Sequence, residues 1–175
     1  MTIETKLDFK RYLKLMYTLT YLKPMMIFLT IVGLIMFIGS LFYFVGINIP
    51  FDKPPFFQIV FGFFIIALLP FSIYRGAKKN FSSHGRLQEK IIYEFTDEKI
   101  KVIGETFNSE MDWLKTHEIV ELTDWILIYQ NRQIANIIPK ESFGDDLNEF
   151  KNLAKTKNIK TKFKKLTTKP NRRYM

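Results

Sequence analysis

Two stretches, residues 24–49 and 56–74, contain no Asp, Glu, Lys, Arg or His. As helices they would extend about 39 Å and about 28 Å, against a hydrocarbon core of roughly 30 Å. The first must tilt or emerge, and the second fits. A chain of this size could scarcely hide two all-round apolar helices in a soluble core, so the pattern predicts a membrane-inserted helical hairpin. The first run is too long and too far from the start for a cleavable signal, so it is expected to stay in the mature protein. Gly33 and Ser40, and likewise Gly39 and Gly46, recur every seven residues, a spacing that lets another helix approach closely. Pro70 is expected to bend the second helix near its inner end.

Beyond the hairpin the period changes from helical to alternating. Residues 89–95, 99–104, 106–112, 118–123, 125–130 and 133–138 read as six short strands, with Ile91, Tyr93 and Phe95 on one face of the first. Pro139 is expected to stop the sheet, and Ser142 or Asp145 to cap a helix in which Leu147, Phe150 and Leu153 form one apolar face. Residues 2–7 alternate as a possible seventh strand, and Asp8 can cap an amphipathic helix over residues 9–21. If that strand joins the sheet, the hairpin is an insertion within one folded unit.

Charge divides the chain more sharply than its net value of +9 suggests. Residues 91–150 hold five bases and thirteen acids, whereas residues 151–175 hold ten bases and no acid. Lys6, Lys10, Arg11, Lys14 and Lys23 precede the first span, and Arg75, Lys78, Lys79, Arg86 and Lys90 follow the second. Cations of this kind resist translocation, so both termini are expected in the cytoplasm and the connector around residues 50–55 outside. The absence of cysteine fits that placement and shows only that no disulfide is needed. The basic tail adds a possible contact with anionic lipid through Lys160, Lys162, Phe163, Lys164, Lys165, Leu166, Lys169, Arg172 and Arg173. Nucleic acid is the less favoured partner, because no stacking platform accompanies the cations.

Catalytic signals are weak by comparison. His84 and His117 lie in separate segments without metal-ligand spacing, and no metal or cofactor is expected. Glu110 and Asp112 alternate on one strand and read as a solvated face before they read as paired catalytic carboxylates. Ser82, Ser83, Ser109 and Ser142 stand in no nucleophile motif, and no glycine-rich phosphate loop occurs. Neither span carries an ionisable group, which argues against a pump or carrier. Trp113 is expected in the core, while Trp125 could lie on either face of its strand.

The order of these features resembles the YcxB-like proteins. The matching positions are residues 92–100, Trp113 shortly before Ile119 and Val120, residues 125–129, and the corner running from Ile137 through Pro139, Lys140 and Phe143. The resemblance spans the chain to about Lys157 and implies two membrane helices followed by a pleckstrin-homology-like domain; it implies no reaction or ligand.

The expectation is thus an α+β membrane protein with a transmembrane hairpin and a cytoplasmic pleckstrin-homology-like barrel or roll capped by a C-terminal helix. Its segments are residues 1–23 (strand and amphipathic helix), 24–49 and 56–74 (spans), 50–55 (external turn), 75–88 (basic linker), 89–157 (domain) and 158–175 (disordered basic tail). The expected role is a non-enzymatic scaffold at the inner leaflet of a cell membrane, binding a protein or peptide and self-associating through its spans. The competing expectation is a membrane enzyme or an accessory subunit of a transport complex.

Overall fold

The computed structural model describes residues 1–47 and 53–163. It divides into a helical unit, Asp8–Gln88, and a sheet unit built from Met1–Leu7 and the residues from Glu89 onward.

The helical unit begins with α1 (Phe9–Tyr21), whose first turn is closed by Asp8: its Oδ1 accepts the backbone N–H of Arg11 at 2.8 Å. Lys23 ends that turn of chain and Pro24 starts α2 (Pro24–Phe44), where proline's fixed φ suits a first helical turn. The helix has 21 residues, about 31 Å long, so it matches a bilayer core instead of overrunning it as the uncharged stretch suggested. The return arm is one 28-residue helix, Phe56–Ser83, made of α3 (Phe56–Phe63), a π-helical turn (Phe64–Leu68) and α4 (Leu69–Ser83). The π turn lies where Pro70 removes the N–H that would have bonded the carbonyl of Ile66, so the interruption appears as a widened turn. Because α4 continues to Ser83, most of the expected linker 75–88 is helix. The expected outer turn lies partly outside the described residues, at 50–52.

Closest approach within the hairpin is set by glycine. A β-carbon on Gly33 would stand 3.0 Å from Ile65, and one on Gly62 would stand 2.5 Å from Cβ of Phe37 and 3.1 Å from the carbonyl oxygen of Gly33. Gly33 and Ser40 are buried as their spacing predicts. Gly39 and Gly46 are not part of this contact: nothing would meet a side chain at either, and Gly46 lies past the helix at φ +74°. The outward faces of both apolar helices are uncovered, with only 11% of the most hydrophobic window of each buried by the chain.

The sheet unit contains β1 (Thr2–Lys6), β2 (Lys90–Phe95), β3 (Lys99–Ile103), β4 (Asn108–Asp112), β5 (Glu118–Glu121), β6 (Trp125–Tyr129), β7 (Ala135–Pro139), α5 (Leu147–Thr156) and β8 (Thr161–Lys162). They form two open four-stranded sheets, ordered β1-β2-β3-β4 and β7-β6-β5-β8. The expected barrel or roll thus takes the form of two open sheets with α5 against their shared core. A 3-10 turn, Trp113–Lys115, carries the chain from β4 into the second sheet, so consecutive β4 and β5 do not pair. β1 pairs antiparallel with β2, from Thr2 opposite Glu94 to Lys6 opposite Lys90, which makes the helical unit an insertion between two paired strands. Ile3, Tyr93, Phe95, Ile100 and Val102 of the first sheet share one core with Ile119, Ile126, Ile128 and Ile138 of the second, sealed by Phe150 and Ala154 of α5. The start of α5 is also corrected. Gly144, at φ +52°, breaks a preceding 3-10 stretch, so the helix begins at Leu147 with Asp146 as its N-cap and neither Ser142 nor Asp145 caps it.

The glycine contacts predict a sharp asymmetry. Gly62→Ala should destabilise the hairpin by about 1–3 kcal/mol, because the rigid Phe37 stem and a backbone carbonyl leave no room for a methyl group, whereas Gly39→Ala should be near neutral. Thermal unfolding of the detergent-solubilised chain, followed by helical circular dichroism, checks the difference.

Candidate functional site

Strand β5 alternates, so Ile119 and Glu121 both face inward, and an acid is thereby placed beside the core. Glu121 is only 4% exposed at its side chain, and its Oε1 receives Lys140 Nζ at 2.6 Å and Lys151 Nζ at 2.8 Å. Lys151 is itself 8% exposed, on the face of α5 that buries Phe150 and Ala154. Burial alone would raise the Glu121 carboxyl, but hydrogen bonds from Lys140 and Lys151 outweigh it and hold the group below the usual carboxylate range. The cluster ties together β5, the turn after β7 and α5.

This accounts physically for the corner at Pro139, Lys140 and Phe143. Pro139 ends β7 opposite Trp125, the N–H of Lys140 donates to the carbonyl of Asp124 at 2.9 Å, and the Lys140 side chain reaches Glu121. Phe143 then enters the core with its ring 4.9 Å from that of Phe150. Trp113 is buried as expected. Its indole N–H donates to the carbonyl of Thr96 at 2.8 Å and its ring packs on Phe95 and Phe150. Trp125, open in the sequence, is 2% exposed.

The first part of the presumed tail belongs to the sheet. Thr161–Lys162 is β8, parallel to β5, and the N–H of Ile119 donates to the carbonyl of Lys160 at 2.9 Å. Lys162 pairs with Glu118 at 2.9 Å and Lys160 with the same carboxylate at 3.8 Å. The Lys162 bond outweighs burial, so the Glu118 carboxyl is held low. Phe163 packs against the core, with Lys151 Nζ 5.9 Å from its ring centre. Lys164, Lys165, Leu166, Lys169, Arg172 and Arg173 lie outside the described residues.

Of the remaining candidates, Ser109, Glu110 and Asp112 share one cavity and the two histidines lie apart from it. Glu110 pairs with Lys99 at 3.1 Å and with Lys101 at 3.8 Å, and Asp112 pairs with Lys115 at 3.3 Å. Both carboxylates line an open cavity of about 410 Å³ with Lys99, Ser109, Lys115 and Gln130. His117 is exposed and does not line it, and His84 belongs to the helical unit. The edge beside this cavity is β4. Bonds from Gly104 N–H to Phe107 and from Trp113 N–H to Glu98 fix the alternation, leaving the backbone groups of Asn108 and Glu110 turned away from β3. A second cavity, about 530 Å³, is lined by Asp97, Glu98, Trp113, Leu114 and Lys157, and Leu114 is 87% exposed at its rim.

Residues 95–154 match the family model described as YcxB-like protein, the family that the sequence resembles. The match runs from the last residue of β2 into α5 and thus contains Trp113, Glu121, Lys140, Phe143 and Lys151. No curated protein and no solved structure matches the chain.

Replacing Glu121 tests the cluster. Glu121→Gln should cost about 3–5 kcal/mol at neutral pH, since it leaves two poorly hydrated ammonium groups without their anion. The carboxyl is held low in the fold, so its stabilisation is complete above the unfolded value of about 4.3 and disappears as pH falls through the depressed one. The gap between wild type and variant should therefore close on acidification below about pH 4. Tryptophan fluorescence during unfolding reads this directly, because both tryptophans are buried in the sheet unit.

Proposed function

We propose that this YcxB-like chain is an integral membrane protein whose helical hairpin tethers a cytoplasmic, pleckstrin-homology-like sheet domain at the inner leaflet. There the domain serves as a non-catalytic scaffold for a protein or peptide. The observation that carries the reading is the pairing of β1 with β2 across the apolar hairpin. Strands that share a ladder must lie on one side of a bilayer, so the chain between them crosses an even number of times. Two helices of sufficient length, with outward faces uncovered by the protein, supply those crossings. The cations flanking both arms favour the cytoplasm for the sheet domain. Seven strands in two sheets followed by α5 support the pleckstrin-homology-like reading.

Recruitment is assigned to β4, a five-residue edge with outward backbone groups beside an open cavity, suited to an extended peptide that adds as a further strand. Exposed Leu114 offers an apolar contact near the end of that edge. The cations after Phe163 are proposed to hold anionic lipid, and the spans to support self-association. The separation of Glu110 and Asp112 from His117 favours this scaffold over the enzyme alternative.

A chain without cysteine makes the topology simple to test. A membrane-impermeant maleimide should label Lys53→Cys in intact cells and Arg132→Cys only after permeabilisation; labelling of both from outside overturns the tether. Recruitment is tested by a photo-crosslinking residue at position 114 in native membranes. Adducts with another protein should form in the otherwise wild-type chain and vanish in Glu110→Pro, which removes an outward N–H without breaking the ladder to β3. Adducts of the chain with itself alone would overturn recruitment.

A further inference from the structure

The two rows of charge that cross β3 both end on an acid at the β4 edge. Glu94 stands opposite Lys101 and Lys101 opposite Glu110, with ion-pair distances of 4.0 and 3.8 Å. In the next row Lys99 stands opposite Asp112. Among the described residues β4 is the last strand on this side of its sheet, so the alternation of sign that is complete inside the sheet stops on a negative step. Lys99 feels the surplus. Its hydrogen bond to Glu110, and then the charges of Glu110, Asp112 and Glu98, hold it above the ordinary lysine range.

The same edge offers the backbone groups of Asn108 and Glu110 to a neighbouring strand, and the sequence of β4 bears on which strand can accept them. A second copy of this chain suits them poorly. Antiparallel pairing of two β4 edges over residues 108–112 sets Glu110 directly against the Glu110 of the other copy, with like charges in adjacent positions. Slipping the register by two residues leaves only residues 108–110 of each strand paired and keeps the two glutamates diagonal neighbours. A strand from another chain escapes both penalties if it carries a base at that place, because the row Glu94, Lys101, Glu110 then gains the positive step it lacks. Residues on either side of that base turn to the opposite face, beside Met111, which packs against the rim of the shared core.

We infer that Glu110 determines the specificity of the β4 edge: it bars a second copy of this chain and admits an extended segment of another chain that presents Lys or Arg opposite it, flanked by apolar residues. The inference rests on the recruitment reading above and names the chemistry of the recruited segment. Repulsion of the wrong strand and attraction of the right one come from the same carboxylate, which is 46% exposed at its side chain. Self-association through the spans is a separate contact and is not affected by it.

The absence of cysteine makes the edge directly testable in the full detergent-solubilised chain. In the five-residue register Asn108 of one copy faces Asp112 of the other, at a Cα spacing of about 5.5 Å that a disulfide can bridge. Chains carrying Asn108→Cys are mixed with chains carrying Asp112→Cys and oxidised. The disulfide should form about five times faster when one chain keeps Glu110 and the other carries Glu110→Lys than when both keep Glu110 or both carry the lysine variant. Equal rates in matched and mixed pairs overturn the inference. Should Glu110→Lys fail to fold, Glu110→Gln on both chains should still cross-link faster than Glu110 on both, and equality there is equally fatal. The photo-crosslinking residue at position 114 separates this inference from the recruitment reading. Absence of any adduct with another protein in the wild-type background refutes recruitment and the assigned base with it. Adducts that form in wild type and persist at full yield with Glu110→Lys keep recruitment and refute the base alone, whereas an about fivefold loss of yield supports both.

Discussion

Pairing of the first strand with the strand that follows the helical unit is the constraint from which the rest of the architecture proceeds. The N-terminal ammonium of Met1 reaches the carbonyl of Phe95 at 3.0 Å, 94 positions along the chain, and the ladder continues to Lys6 opposite Lys90. Closing so long a segment as flexible chain would cost on the order of 4 kcal/mol in configurational entropy. A helical hairpin removes much of that cost, because its arms leave and return at one end and are locked by contacts at Gly33 and Gly62.

Charge is organised by the same division. The acidic excess of residues 91–150 is met by the basic residues that follow: Lys151 reaches Glu121, Lys157 reaches Asp97 at 3.3 Å, and Lys160 and Lys162 reach Glu118. Residues 151–163 are therefore counter-charge to the sheet module as much as they are the root of a tail. Within this set the Glu121 cluster differs in kind. Exposed pairs such as Lys99 with Glu110 are worth little individually, whereas a carboxylate buried between two ammonium groups specifies one docking of α5 and tolerates no loss of its anion.

Much of this was legible in the sequence, for physical reasons. Uncharged runs of membrane length, the alternation of Ile91, Tyr93 and Phe95, and the Asp8 cap each depend on local periodicity or local hydrogen bonding, and each appears in the structure. The missed features depend on distant neighbours. Gly62 gives no periodic signal, and its role exists only because Phe37 lies across from it. Lys151 reads as surface until it is placed with Leu147 and Ala154 at helical spacing, and only its partner on β5 explains an ammonium group there. β8 is two residues long in a run of lysines, below any pattern threshold, and is defined by the edge of β5. The split into two sheets likewise turns on a single 3-10 turn at Trp113.

The two sheet faces of the first sheet show why polar pattern alone could not assign a partner. Its outer surface is a cross-strand ladder in which Glu4 meets Lys90 at 2.7 Å, and Lys101 lies between Glu94 at 4.0 Å and Glu110 at 3.8 Å. Alternating charges of this kind satisfy one another and leave no field of one sign to attract a charged ligand. What that sheet leaves unsatisfied is directional, namely the outward backbone groups of β4, with the apolar rim at Leu114 beside them. The composition of the helical unit is different in kind, with nine bases and two acids between residues 8 and 88.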